Sequence, residues 1–337
     1  MKFFITGGLG YIGSHTSVLL LNQGHEIVIL DNLSNSCKST ANDIKKITGK
    51  SFDFYNGDLN NRKLLDKIFK KFKPDFVIHF AGLKSVSDSF FYEEKYHINN
   101  VVGSSILFEV MNDNNIINII FSSSATVYGE TKSFPISESS TISPTNPYGQ
   151  NKVDIENILN DFHSNNGWNV VILRYFNPTG AHPSSLIGER MSGRTNNLMP
   201  NICKSLTSTK NKFYIYGNNF DTHDGTGVRD YIHVIDLANG HLCAFNYLLH
   251  NKHKFTILNL GTGIGYSVLD MIKAFEKVSM KKIKYTIIEK RDGDVAKSYA
   301  DPTLAMSLIS WTPIYDLEDM CRDTWNRFNF EMSLNQL

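Results

Sequence analysis

Residues 6–13 read TGGLGYIG and directly follow the apolar run Phe3-Phe4-Ile5. Two glycine fingerprints overlap here: Gly8, Gly10 and Gly13 give G-x-G-x-x-G, while Gly7, Gly10 and Gly13 give G-x-x-G-x-x-G. A strand, a glycine-rich turn and a helix start form the setting in which backbone N–H groups receive a pyrophosphate at a helix N-terminus. The next apolar run, HEIVILDN (25–32), ends in Asp31, 21 residues after Gly10, where a carboxylate can bind the ribose hydroxyls of adenosine. A 2′-phosphate would face that carboxylate, and NLSNSCK (32–38) offers no arginine to receive it, so NAD is favoured over NADP. The plainer reading makes the glycines a sharp turn and Asp31 a helix cap.

Outward from this loop, strands and helices alternate. KFFIT (2–6) reads as a buried strand, YIGSHTSVLLLNQG (11–24) as a helix ending at Gly24, and FDFYNGD (52–58) as a third strand. RKLLDKIFKKF (62–72) has the amphipathic spacing of a helix, and PDFVIHFAG (74–82) is a fourth strand. NNVVGSSILFEVMNDN (99–114) is a helix and NIIFSSSATVYG (118–129) a strand with a polar end. NPYGQNKVDIENILNDFHSN (146–165) is a long helix, followed by the strand NVVILRYFNPTG (169–180). Continuous apolar strands alternating with helices predict an α/β, Rossmann-like doubly wound parallel sheet. After Asn177 the pattern loosens, and residues 178–200 are rich in Gly, Pro, Ser and Asn. We expect an NAD-binding domain over 1–176 and a smaller α/β substrate-binding lobe over 177–337, with part of 228–262 returning to the first.

The bulk numbers narrow the function. The chain has 337 residues, 41% hydrophobic and 20% charged, with a formal net charge of +1 and no long basic block, which gives nucleic acid and membrane surfaces no electrostatic hold. Cys37, Cys203, Cys243 and Cys321 are far apart in sequence, so neither a disulfide framework nor a metal site is expected. A three-residue apolar run before Thr6 is too short for a signal-peptide core, and the expected location is the cytoplasm.

The chemistry concentrates in YGQNK (148–152). Tyr148 and Lys152 are four apart and share a helix face. A tyrosine with a reference pKa of ~10 needs a drop of about three units, or about 4 kcal/mol, to act as a base at neutrality. A nearby ammonium and a nicotinamide cation can both stabilise the phenolate. Ser124 ends a strand two dozen residues upstream and can share the same substrate oxygen, with Thr126 close by. Asp58, at another strand end, faces the region where open α/β sheets bind ligands, though alone it would be a turn residue.

Together these residues resemble the extended short-chain dehydrogenase/reductase superfamily, and more closely its UDP-galactose (UDP-glucose) 4-epimerase family. The motifs carrying the resemblance are TGGLGYIGSHT (6–16), DNLSNS (31–36), HFAGLK (79–84), FSSSATVYG (121–129), RYFNPTGAHP (174–183), NNLMP (196–200), DGTGVRDYIHV (224–234), LNLGTG (258–263) and KRDGD (290–294). The resemblance selects the Gly7, Gly10 and Gly13 register, with Gly8 helping the chain turn. It implies NAD held by Gly7, Gly10, Tyr11, Ile12, Gly13, Asp31, Asn32, Asp58, Leu59, Phe80, Ala81, Lys84, Asn99, Tyr148, Lys152 and Phe176. It implies catalysis by Tyr148, Lys152 and Ser124, through transient oxidation of a UDP-hexose at C4, turnover of the keto sugar and return of hydride. Arg229 and Arg291 would grip the diphosphate and Tyr216 the uracil, with Ser124, Thr126, Tyr148, Asn177, Asn197, Leu198 and Ser298 also around the substrate.

Ser298 stands where the family can hold a bulky tyrosine, which implies room for the 2-acetamido group of UDP-GlcNAc and UDP-GalNAc. Alternatively, Tyr299 fills that space by a local register shift. Homodimerisation through the 99–112 and 148–160 helices is a further implication. Other readings are a sugar-nucleotide 4,6-dehydratase, decarboxylase or dehydrogenase, or a non-catalytic NAD-binding sensor. Elimination chemistry would call for an acid near Ser124, and SSSATVYG contains none.

Overall fold

In the computed structural model the described residues are 1–190, 197–207, 212–291 and 294–334. The strands in chain order are β1 (Lys2–Thr6), β2 (Glu26–Asp31), β3 (Asp53–Asn56), β4 (Phe76–His79), β5 (Asn118–Ser124), β6 (Asn169–Tyr175), β7 (Asn177–Thr179), β8 (Phe213–Tyr216), β9 (Val228–His233), β10 (Phe255–Leu260), β11 (Gly265–Ser267), β12 (Tyr285–Ile288) and β13 (Lys297–Ser298). Seven of them form one sheet in the order β3-β2-β1-β4-β5-β6-β10, every pair parallel. A parallel sheet is buried on both faces, so its strands must be apolar throughout. β6 meets that demand with all seven residues buried, and β1 and β2 are buried at all but their first residue. The strand order reverses between β1 and β4. That crevice, at the carboxyl ends of the strands, is where doubly wound sheets bind their ligands.

Two large apolar clusters line the two faces. One joins Phe3, Ile5, Val18 and Leu20 to Phe245 and Trp311, and the other joins Phe4, Leu65 and Phe69 to Phe108, Ile155 and Trp168. A third cluster, with Ile202, Phe213, Phe275 and Phe328, belongs to the second half of the chain. There β9 pairs with β11 antiparallel and with β13 and β7 parallel, while β8 and β12 form a separate parallel pair.

The structure refines the sequence expectations in three places. NVVILRYFNPTG is not one strand: β6 stays in the large sheet, Phe176 donates its N–H to Leu260, and β7 pairs with β9 in the other sheet. The stretch 99–114 is α-helical only from Gly103 to Asp113, because His97–Val102 widens into a π-turn. The polar end of NIIFSSSATVYG leaves β5 at Ser124 and closes into a short 3₁₀ turn, Ala125–Tyr128.

Candidate active site

The glycine loop leaves β1 and enters the helix Tyr11–Asn22. Gly7 has φ +66°, and a Cβ there would lie 2.8 Å from the Ala81 nitrogen. A Cβ on Gly13 would lie 2.3 Å from the Gly7 carbonyl oxygen. Gly10 caps the helix with extended geometry and no side-chain hydrogen bond, which leaves the first-turn amides open to an anion. The G-x-x-G-x-x-G register therefore carries the turn. Gly8 does not supply the turn itself: its φ is not in the left-handed region, and it is small because Ile29 packs where a Cβ would stand, at 2.8 Å.

Asp31 ends β2 and is buried. Its Oδ2 accepts from the Leu9 amide at 3.1 Å, and its Oδ1 accepts from the Leu33 amide at 2.9 Å and Ser36 Oγ at 2.7 Å. A carboxylate has about four acceptor sites, so Oδ2 keeps one for a ribose hydroxyl. Asn32 Nδ2 donates to Asp58 Oδ2 at 2.8 Å, which joins the ends of β2 and β3. Leu59 is buried just beyond. The cradle fits NAD: it has a glycine turn without room for side chains, uncapped helix amides and a carboxylate at the second strand end.

Across the crevice, the HFAGLK loop hangs from a buried chain of hydrogen bonds. Thr6 Oγ1 and His79 Nδ1 are 2.7 Å apart, and the Ala81 amide donates to Thr6 Oγ1 at 3.2 Å. His79 Nε2 meets Ser104 Oγ at 2.8 Å, and Asn100 holds Leu83 by both its amide and its carbonyl, at 2.7 and 3.0 Å. These bonds place Phe80 and Ala81 against Gly7, while Lys84 Nζ reaches Glu189 Oε1 at 3.2 Å. Asn99 is half-buried near Asn60 and Ile98, while its neighbour Asn100 does the anchoring. Phe176 is buried against Val127, Tyr128 and Ile136.

The catalytic candidates converge. Asn146 caps the helix Pro147–Asn166 by accepting from the Gly149 amide, which sets Tyr148 in its first turn. Lys152, buried, donates to the Ser122 carbonyl at 2.7 Å, with its Nζ 5.7 Å from the Tyr148 ring centroid. Thr126 Oγ1 donates to Ser124 Oγ at 3.0 Å and fixes the serine at the strand end. Burial pushes the Tyr148 phenol up to about 12, although interaction with Ser124 pulls the other way. Burial lowers Lys152 to about 8, opposed by the charge of Glu156. The chain by itself thus holds Tyr148 as a phenol, and of the two cations expected to stabilise the phenolate only the Lys152 ammonium belongs to the chain. The physical reason is desolvation, which outweighs the hydrogen bonding with Ser124.

Beneath this trio lies a network that motif reading passed over. Glu156, one helical turn after Lys152, accepts from Arg174 Nη2 at 2.5 Å and Nε at 3.0 Å, and from Ser123 Oγ at 2.5 Å. Arg174 also donates to the Tyr128 hydroxyl at 3.0 Å, and Tyr128 donates to Asn259 Oδ1 at 2.7 Å. The signal was present as an i, i+4 extension of the Tyr148–Lys152 spacing.

In the second half, Arg229 lies on β9, with Nη1 donating to the Val228 carbonyl at 2.8 Å. Ser298 pairs with Arg229 across β13 and β9, so both side chains share one face of that sheet. Tyr299 turns away and stacks on Phe134, with ring centroids 5.4 Å apart. Arg291 sits 4.7 Å over the Tyr216 ring and is held by Asp294 at 2.9 and 3.1 Å. Asn177 and Asn197 are exposed and Leu198 half-buried. Elsewhere, His223, Asp224 and Asp270 bring three ligand atoms within 4.8 Å, but both carboxylates are spent on Ser267 and Thr226 at the start of the helix Val268–Ser279.

A parallel sheet with a dinucleotide cradle, and with Ser124, Tyr148 and Lys152 at the carboxyl strand ends, fits the dehydrogenase-like class of dinucleotide-binding proteins. In agreement, the family described as GDP-mannose 4,6 dehydratase matches residues 4–324. The chain is 50% identical over 326 residues to the UDP-glucose 4-epimerase of Bacillus subtilis (strain 168), covering 96% of each. A UDP-glucose 4-epimerase from Stenotrophomonas maltophila, crystallised with NAD and formylated UDP-arabinopyranose, superposes with a TM-score of 0.96 at 41% identity, covering 99% of each chain. The UDP-Glc/GlcNAc 4-epimerase of Campylobacter jejuni gives 0.85 at 36% identity, covering 98% of this chain and 99% of that one. The chain belongs to the UDP-glucose 4-epimerase family.

Proposed function

We propose that this protein interconverts UDP-galactose and UDP-glucose with NAD as a resident cofactor, and that it also accepts UDP-GalNAc and UDP-GlcNAc. The observation that carries the reading is the convergence of Ser124, Tyr148 and Lys152 beside a cradle that fits NAD, in a chain of this family. Bound NAD supplies the acceptor, and then the donor, of the hydride on sugar C4. Tyr148 takes the proton of the 4-hydroxyl and later returns it. Ser124, held by Thr126, shares the same oxygen. Lys152 keeps a cation beside the phenol and holds the nicotinamide ribose. Arg229 and Arg291 hold the diphosphate and Tyr216 the uracil, with Asn177, Asn197 and Leu198 alongside, so the nucleotide stays fixed while the hexose turns.

The wide pocket rests on Ser298. Its small side chain stands on the Arg229 face, while Tyr299 is engaged by Phe134. Elimination of the 4,6-dehydratase kind lacks its acid, because Ser122–Tyr128 carries no carboxylate and nearby Glu156 is bound by Arg174. Dimerisation is supported by apolar surface at Phe90, Phe91, Tyr92, Ile98 and Val102, which are 38% to 80% exposed and precede the helix Gly103–Asp113. A cytoplasmic location accords with the described residues, where no helix is long and apolar enough to cross a membrane. The test is product analysis of the purified protein with UDP-galactose and, separately, UDP-GalNAc. Both 4-epimers should form without accumulating NADH. Formation of neither product contradicts the function, and failure with UDP-GalNAc alone contradicts the wide pocket.

A further inference from the structure

Glu189 is a carboxylate in a cleft that must receive the diphosphates of two nucleotides, where a negative charge opposes binding. Its position is firmly built. The preceding residue, Gly188, forms an antiparallel bridge with Ala181, and His182 donates its N–H to Ile187 at 3.1 Å. Arg327 clamps this hairpin by donating to the Ser185 carbonyl at 2.9 Å, and its Cγ lies 2.8 Å from where a Gly188 Cβ would stand. The same stretch is tied to the glycine-loop helix, because the Tyr11 hydroxyl donates to the Gly180 carbonyl at 2.6 Å. From there the Glu189 side chain, only 16% exposed, reaches both halves of the cleft through a single oxygen. Its Oε1 accepts from Lys84 Nζ at 3.2 Å and from Asn197 Nδ2 at 2.6 Å.

We propose that Glu189 is a positioning residue, a strut across the cleft whose carboxylate oxygen sets Asn197 for the sugar nucleotide while meeting Lys84 on the cofactor side. The inference rests on placing Lys84 and Asn197 in the two halves of the site. The two contacts differ in weight. The Lys84 ammonium is 49% exposed, and such an ion pair contributes little. The short hydrogen bond to Asn197 ends on a charged acceptor and is the stronger of the two contacts. What matters is therefore the reach of the oxygen, more than its charge.

Two conservative variants separate reach from charge. Glu189→Asp keeps the charge but withdraws the oxygen by one methylene, whereas Glu189→Gln keeps an oxygen in place without the charge. UDP affinity of each NAD-loaded protein is measured by calorimetry, with bound NAD per chain read from absorbance. The Asp variant should bind UDP about tenfold more weakly and raise KM for UDP-galactose with kcat near wild type. The Gln variant should stay within about threefold of wild type, and NAD content should be unchanged in both. Asn197→Ala should weaken UDP by the same factor, and adding Glu189→Asp to it should cost nothing further. An Asp variant that binds UDP like wild type, a Gln variant as weak as Asp, or fully additive losses would overturn the strut. UDP calorimetry reads this without turnover. A wild-type protein that binds UDP but does not epimerise contradicts the proposed function instead.

Discussion

Tyr148 stands at about 12 in a site where burial outweighs every favourable neighbour. Bringing it to neutrality takes about five pKa units, or about 7 kcal/mol. The protein's own ammonium does not supply that, so in the proposed reaction the nicotinamide cation and the sugar hydroxyl would have to join Ser124 around the phenol for the base to form. In the proposed wide pocket Ser298 would act at the same scale, through size alone. Replacing it with tyrosine puts a ring on the Arg229 face. We expect Ser298→Tyr to lose UDP-GalNAc turnover by at least about a hundredfold, toward the upper end of what a single methylene can discriminate, while UDP-galactose turnover changes by less than about threefold. Equal turnover of both sugars by the variant would show that residue 298 does not wall the pocket.

At the scale of elements, the catalytic trio depends on how β5, β6 and the helix Pro147–Asn166 are joined, and the joint is the buried Glu156–Arg174 pair. Removing one partner of such a pair leaves a buried charge without compensation, which costs about 3–5 kcal/mol. Glu156→Ala should lose that much in urea unfolding, and the double variant Glu156→Met with Arg174→Met should recover most of it. A loss below about 1 kcal/mol would mean the pair does not hold the elements together. The alternation of apolar strands and helices made the large sheet legible in the sequence, because both faces of each strand are buried. The glycine turn and the Tyr148–Lys152 spacing were equally plain, since both are local. The crossing at Phe176 was not, because both flanking segments are apolar and extended and only their partners differ. Glu189 was hidden for a related reason: it joins Lys84, 105 residues away, to Asn197, and a lone glutamate among glycines and serines carries no period.

Over the whole molecule, several histidines are buried where they cannot take a proton cheaply. Burial lowers His15 and His79 to about 3 and His241 to about 4. An unfolded histidine titrates near ~6.5, so between about 4 and 6.5 the unfolded chain binds more protons than the folded one. Stability from these groups is intact above ~6.5 and falls as pH drops, by about 1.4 kcal/mol per pH unit for each histidine. Urea midpoints should therefore decline steeply from pH 7 to 5, and a flat profile would contradict neutral burial. The three sites lie in and against the large sheet: His79 ties β4 to the glycine loop, His15 bonds within the helix that follows that loop, and His241 contacts Tyr175 at the end of β6. Mild acid should thus loosen the cofactor crevice first.

In the proposed reaction, hydride leaves C4 of the sugar and returns to C4 of the same molecule. UDP-galactose deuterated at C4, turned over by the purified protein in ordinary water, tests it directly. The account predicts UDP-glucose with the deuterium still at C4 and no label in solvent or free NADH. Deuterium at C6, washed into water or released as NADH would contradict it.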